Sequence, residues 1–99
     1  MTRPLPLHVV LGRLTHDARE ARAAEVLAPG VVRDAASAAA RQGLAVAVIP
    51  LGPVNLEHTA AARALTAQLK GFSFAWVETI GRDGAAQWEL RILWQMLPP

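Results

Sequence analysis

The sequence predicts an α+β domain, a two-layer sandwich with element order β-α-α-β-α-β-β and a four-stranded mixed sheet ending in an antiparallel hairpin. Three observations carry this expectation. Two helix-length stretches are punctuated by a cap residue, a Pro-Gly pair and a glycine, the segment LAVAVIPL is apolar on both alternating faces, and the last third alternates large and polar residues with period two around an Asp-Gly turn. Ninety-nine residues suffice for one core, so residues 1–99 are read as a single domain.

The elements follow in order. Leu5 to Leu14 is apolar and contains β-branched residues, which suits a first strand, with Pro4 and Pro6 at an edge or outside the ladder. Thr15 then reads as an N-cap, because its hydroxyl can accept from the free amides of a first turn and Asp17 and Glu20 favour the positive helix end. A helix from His16 to Ala28 is interrupted by Pro29-Gly30, and a second within Val31 to Gln42 is stopped by Gly43, with Arg41 complementing its negative end. LAVAVIPL, residues 44–51, reads as a central strand covered on two sides. Asn55 caps a third helix, LEHTAAARALTAQLK, that ends before Gly71 and gathers His58, Ala61, Ala62, Leu65 and Leu69 on one face.

The remaining segment is a hairpin whose register can be argued. A two-residue Asp83-Gly84 loop splits each apolar row across two faces. A three-residue loop, Arg82-Asp83-Gly84 with Gly84 left-handed, pairs Phe72 with Trp94, Phe74 with Ile92, Trp76 with Leu90 and Glu78 with Trp88. That register puts Trp88, Leu90, Ile92, Trp94 and Met96 on one face with the other aromatics. Right-handed crossovers advancing in one direction place all three helices over that face. The other face, including Ala45, Ala47, Ile49, Ala75, Val77 and Leu93, is left bare and ringed by Gln87, Glu89 and Arg91. Reversal of strand order midway would instead cover both faces.

Composition narrows the function classes. Hydrophobic residues make up 53% of the chain, but alanine supplies much of that figure. The longest apolar run, about Gly43 to Val54, is well short of the roughly 20 residues of a membrane span. No signal peptide is legible at the N-terminus, so a soluble cytoplasmic protein is expected. The absence of cysteine removes disulfides and thiolate chemistry. Net charge is +2 and nine of the ten basic residues are arginine, but they are scattered and several adjoin acids. Such a balance permits nucleic-acid contact without announcing it.

Candidate chemistry is sparse. His58, in the first turn of the expected third helix beside Glu57, would be held toward its neutral form by the helix end, although a boundary histidine topping the core is the simpler reading. His8 and His16 could meet only through folding. THDARE places His16 and Glu20 one helical turn apart but offers no third ligand. Ser37 and Ser73 are the only serines, and neither sits in a Gly-flanked elbow. Glu78 and Glu89 fall on opposite faces of the hairpin, and the glycines of GRDG and LGP lack phosphate-cradling spacing. Three Trp and two Phe on adjacent strands resemble base-stacking sheets, but they share the richest apolar face and their neighbours include as much acid as base.

The second half of the chain, from AVAVIPLGPVNLEH to QWELRILW, resembles a group of small phage-encoded and bacterial domains of unknown function. In that pattern an apolar strand ends near a proline, a short loop enters a helix opening with Glu-Asn, two leucines four apart precede a glycine, and a Trp-Glu pair enters the last strand. The matching positions are Pro50, Glu57, Leu65, Leu69, Gly71, Trp88 and Glu89, and His58 stands in place of the Asn. The first 43 residues have no counterpart in the pattern. The resemblance implies a compact accessory or inhibitor protein of phage or mobile-element origin, with no activity to carry over.

The expected function is binding of a protein partner, or of a second copy, through the open sheet face. Val77, Glu89, Arg91 and Leu93 are the candidate contact residues, with His58 added from the third helix. A nucleic-acid-binding regulator using its arginines is the alternative, followed by a small enzyme using His58 and Glu89. No cofactor, metal or membrane is implied.

Overall fold

A computed structural model describes residues 3–95, with three helices and three strands in the order α-α-β-α-β-β. The helices are α1 (Leu7–Val26), α2 (Pro29–Arg41) and α3 (Ala60–Gln68), and the strands are β1 (Val46–Gly52), β2 (Phe72–Ile80) and β3 (Ala86–Trp94). The sheet has the order β1-β3-β2, and both pairings are antiparallel. The expected four-stranded mixed sheet is therefore corrected to three antiparallel strands. Among the described residues, no helix is long and apolar enough to cross a membrane.

The lost strand is Leu5 to Leu14, which lies mostly inside the 20-residue α1. The physical reason is spacing. Leu7, Val10, Leu11 and Leu14 fall three or four residues apart, which is the period of a helix face. Pro6 occupies the N-cap, where its missing N–H costs nothing. Thr15 is consequently in mid-helix rather than at its start, and its hydroxyl donates to the Leu11 carbonyl at 2.8 Å.

The second helix starts with Pro29 at its first position, and Gly43 ends it where expected. The N–H of Gly43 donates to Ala40 O and that of Leu44 to Ala39 O, the paired bonds of a Schellman ending. The third helix begins later than expected. Thr59, not Asn55, is its N-cap, with Oγ1 accepting from Ala62 N at 3.2 Å and donating to Leu56 O at 2.7 Å. Asn55 instead forms a local turn, its Oδ1 accepting from Glu57 N at 3.1 Å.

The hairpin has the expected register: Phe72 pairs with Trp94, Phe74 with Ile92, Trp76 with Leu90 and Glu78 with Trp88. Its turn is closed by Gly81 N donating to Ala85 O and Gly84 N to Gly81 O, each at 2.9 Å, with Asp83 Oδ1 accepting from Ala85 N. Gly84 has φ +80°, the left-handed position that the three-residue loop requires. Met96 lies outside the described residues.

All three helices, α1 through its C-terminal part only, lie on one face of the sheet. Its Ala47, Ile49, Leu51, Leu90 and Ile92 are buried, and all but Ala47 join Ala23 and Leu27 from α1 and its end, Val32 from α2, Leu56, and Ala62 and Leu65 from α3 in one cluster. Phe72, Phe74, Trp76 and Trp88 pack partly buried at its margin. β1 is an edge strand rather than the expected central one, which Pro50, unable to donate to a ladder, tolerates.

Candidate functional site: the open sheet face

Among the described residues, no helix lies on the second face of the sheet. Its side chains follow from the registers. Val46 lies beside Leu93 and Leu93 beside Ser73; Val48 beside Arg91 and Arg91 beside Ala75; Pro50 beside Glu89 and Glu89 beside Val77. Three short rows thus run across the strands, with aliphatic or small residues outside and the charges on the central strand. Val48 and Leu93 are 47% and 40% exposed, high values for aliphatic side chains in a sheet.

At the centre, Arg91 and Glu89 satisfy each other. Arg91 Nε and Nη2 both donate to Glu89 Oε1, at 2.9 Å and 2.6 Å. Two residues apart on one strand, they project to the same face, so the pair lies along β3. The result is an aliphatic surface with a mutually neutralised charge pair in its middle. At one end of the face, Gly71, Ser73, Leu93 and Gln95 line a shallow hollow with Phe72 and Trp94, whose rings meet edge-on at 6.2 Å.

Of the sequence-predicted residues, the structure brings Val77, Glu89, Arg91 and Leu93 together. Two members of the expected bare face are corrected. Ala47 and Ile49 pair with Ile92 and Leu90, so they point into the core, and Val46, Val48 and Pro50 take the open side. A one-residue shift in the parity of a strand exchanges all its side chains between faces.

His58 does not belong to this face. It is exposed and precedes the N-cap of α3, outside the helix and its apolar face, so the expected first-turn placement is corrected. Its carbonyl accepts from Arg63 Nη2 at 3.1 Å. His58 shares a small hollow of about 120 Å³ with His16, Arg19, Glu20, Asn55 and Thr59 on the helix side of the sheet. Glu89 lies on the other side, so the two residues of the enzyme alternative do not converge. Glu20 is committed to the backbone of α3, and among the described residues no group of three His, Asp or Glu side chains is placed to hold a metal ion.

A second concavity, about 420 Å³, opens between α2 and α3 above Phe72 and Ile92. It is lined mainly by Val32, Ala36, Leu65 and Leu69, with Arg33, Ser37 and Gln68 as its polar side chains. Its polar groups include no acid, base or nucleophile paired for chemistry.

No family model matches this chain, and no match is found among curated proteins or solved structures.

Proposed function

We propose that this protein is a non-catalytic interaction module that binds another protein through the open face of its sheet. The observation that carries this reading is the row of Val46, Val48 and Pro50 continuing through Leu93 to Ala75 and Val77, which no described helix covers and whose only ions among the described residues are the Arg91–Glu89 pair. Exposed aliphatic patches rimmed by polar residues favour association with protein surfaces. The matching partner is an aliphatic surface carrying one donor and one acceptor that can share the Arg91–Glu89 pair. An accessory or inhibitor role is in keeping with this reading.

The nucleic-acid alternative is less well supported. Phosphate binding needs unopposed cations, and on this face Arg91 is bound to Glu89. The large aromatics that could stack bases face the helices.

The test is affinity capture from the native host with the parent protein, Val48→Glu, Leu93→Glu and His58→Ala. The reading expects one discrete protein held by the parent and by His58→Ala, and lost with both face variants. Retention by the two face variants would refute it. A second copy captured by the parent and lost with both face variants would make the face a self-association surface.

A further inference from the structure

The first helix leaves the body of the protein. From Leu7 to Arg19 every residue except Val9 is exposed, and the molecule extends 70 Å along its longest axis. Its radius of gyration is 16.9 Å, against about 13 Å for a compact chain of this length. One side of this projecting part is apolar. Leu7 is 72% exposed, Leu14 60%, Leu11 51% and Val10 37%, and their spacing sets them in one stripe. At roughly 100° per residue, the stripe lies about half a turn from Glu20 and Ala23, the side by which α1 meets α3 and the core. The protein's own core therefore has no use for it.

We infer that α1 pairs antiparallel with α1 of a second copy along this stripe, with Leu14 near the two-fold axis. Charge selects both the occupant and the direction. From Arg3 to His16 there are two arginines and no acid, whereas Asp17, Glu20 and Glu25 oppose Arg19 and Arg22 in the following residues. Glu20 and Arg22 are engaged within the protein, on Ala60 N and Leu51 O, which leaves Asp17 and Glu25 against Arg19. Antiparallel pairing brings the basic half of each helix to the acidic half of the other, and parallel pairing opposes like charges. The start of α1 has neither a capping side chain nor an acid in its first turn, so it gains from a neighbour's carboxylates.

Size agrees with the same register. An axis at Leu14 lays Leu7 over Ala21 of the second copy and Val10 over its Ala18, large against small. Arg3, in the segment just before α1, is at the end of the contact that Glu25 of the second copy also occupies. The overlap is about 22 Å of each helix, at ~1.5 Å per residue. Such a contact is smaller than a standard interface of roughly 1,600 Å², so the pair is reversible and concentration-dependent. It is distinct from the open sheet face and does not depend on the proposed function.

The chain has no cysteine, so a single engineered thiol reports geometry without interference. Light scattering across a concentration series, on the parent and Leu14→Glu, is combined with air oxidation of Leu14→Cys and Leu7→Cys. The expected result is a parent that approaches twice its monomer mass, a Leu14→Glu variant that stays monomeric with unchanged circular dichroism, and disulfide dimers from Leu14→Cys alone. In the antiparallel pair the two Leu7 positions stand about 20 Å apart, beyond the ~7 Å limit for a disulfide. A parent that is monomeric throughout overturns the inference, whether or not it sediments with anionic vesicles. Dimers that persist in Leu14→Glu, or Leu7→Cys linking as readily as Leu14→Cys, overturn it as well.

Discussion

The carboxylate of Glu20, on α1, accepts the backbone N–H of Ala60, the first residue of α3, with its two oxygens at 3.2 Å and 3.0 Å. The open amides and positive end of α3 are thus completed by a side chain forty residues away in sequence. Thr59 caps the same helix locally through Ala62 N, so one helix start has two sources of support.

Replacing Glu20 by Ala should therefore cost about 1 kcal/mol, in the range of a lost N-cap. For a domain of this size that lowers the thermal midpoint by about 4–8 °C. Scanning calorimetry of Glu20→Ala checks it, and a midpoint equal to the parent's would mean that the contact contributes nothing.

Gly52 and Gly12 should respond to alanine in opposite directions. Gly52 has φ +84°, and a Cβ there would stand 3.1 Å from Arg22 Nη2, while Arg22 Nε donates to Leu51 O at 3.0 Å. Gly52→Ala is expected to destabilise by about 1–2 kcal/mol through backbone strain and displacement of that guanidinium. Gly12 is inside α1, and a methyl group added there would meet nothing within 4 Å beyond its chain neighbours and the backbone of its own helix, so Gly12→Ala should stabilise by about 0.5–1 kcal/mol. Urea midpoints that shift the same way would contradict this.

The two faces of β3 should separate stability from binding. Leu90 and Ile92 are wholly buried, and Leu90→Ala is expected to cost about 2–5 kcal/mol. Leu93, two-fifths exposed on the other face, should lose less than about 0.5 kcal/mol as Leu93→Ala. Chemical denaturation of both variants measures the contrast, and equal losses would mean that the open face is covered in the folded protein.

Arg91 should not act as a phosphate contact. With its guanidinium on Glu89, Arg91→Ala is expected to leave electrophoretic mobility with DNA or RNA unchanged. A salt-sensitive shift of the parent that Arg91→Ala abolishes would move the reading to nucleic acid.

The hairpin was legible because only one loop length gathers Phe72, Phe74 and Trp76 with Leu90 and Ile92, and the structure has that register. The first element was not, because Val9-Val10 invites a strand while the spacing of Leu7, Leu11 and Leu14 belongs to a helix. A helix that leaves its apolar stripe uncovered gives no burial to weigh against that choice. Pro50 was the signal that β1 is an edge, and its weight was lost to the apolar residues around it. The shared face of Val77, Glu89, Arg91 and Leu93 follows from the hairpin register, so these candidate residues could be grouped from sequence. Val46, Val48 and Pro50 could not, because the parity of β1 depends on its antiparallel pairing with β3. The Glu20–Ala60 contact left no local pattern at all, since it joins two elements only after they pack.

The most direct test of the central claim is photo-crosslinking in host cells from a benzophenone side chain placed at Val48 on the open face or at Glu57 on the helix side. The account predicts a discrete protein adduct from Val48 that disappears when Val77→Glu is added, and none of that mass from Glu57. An adduct from Glu57 with none from Val48 would contradict it.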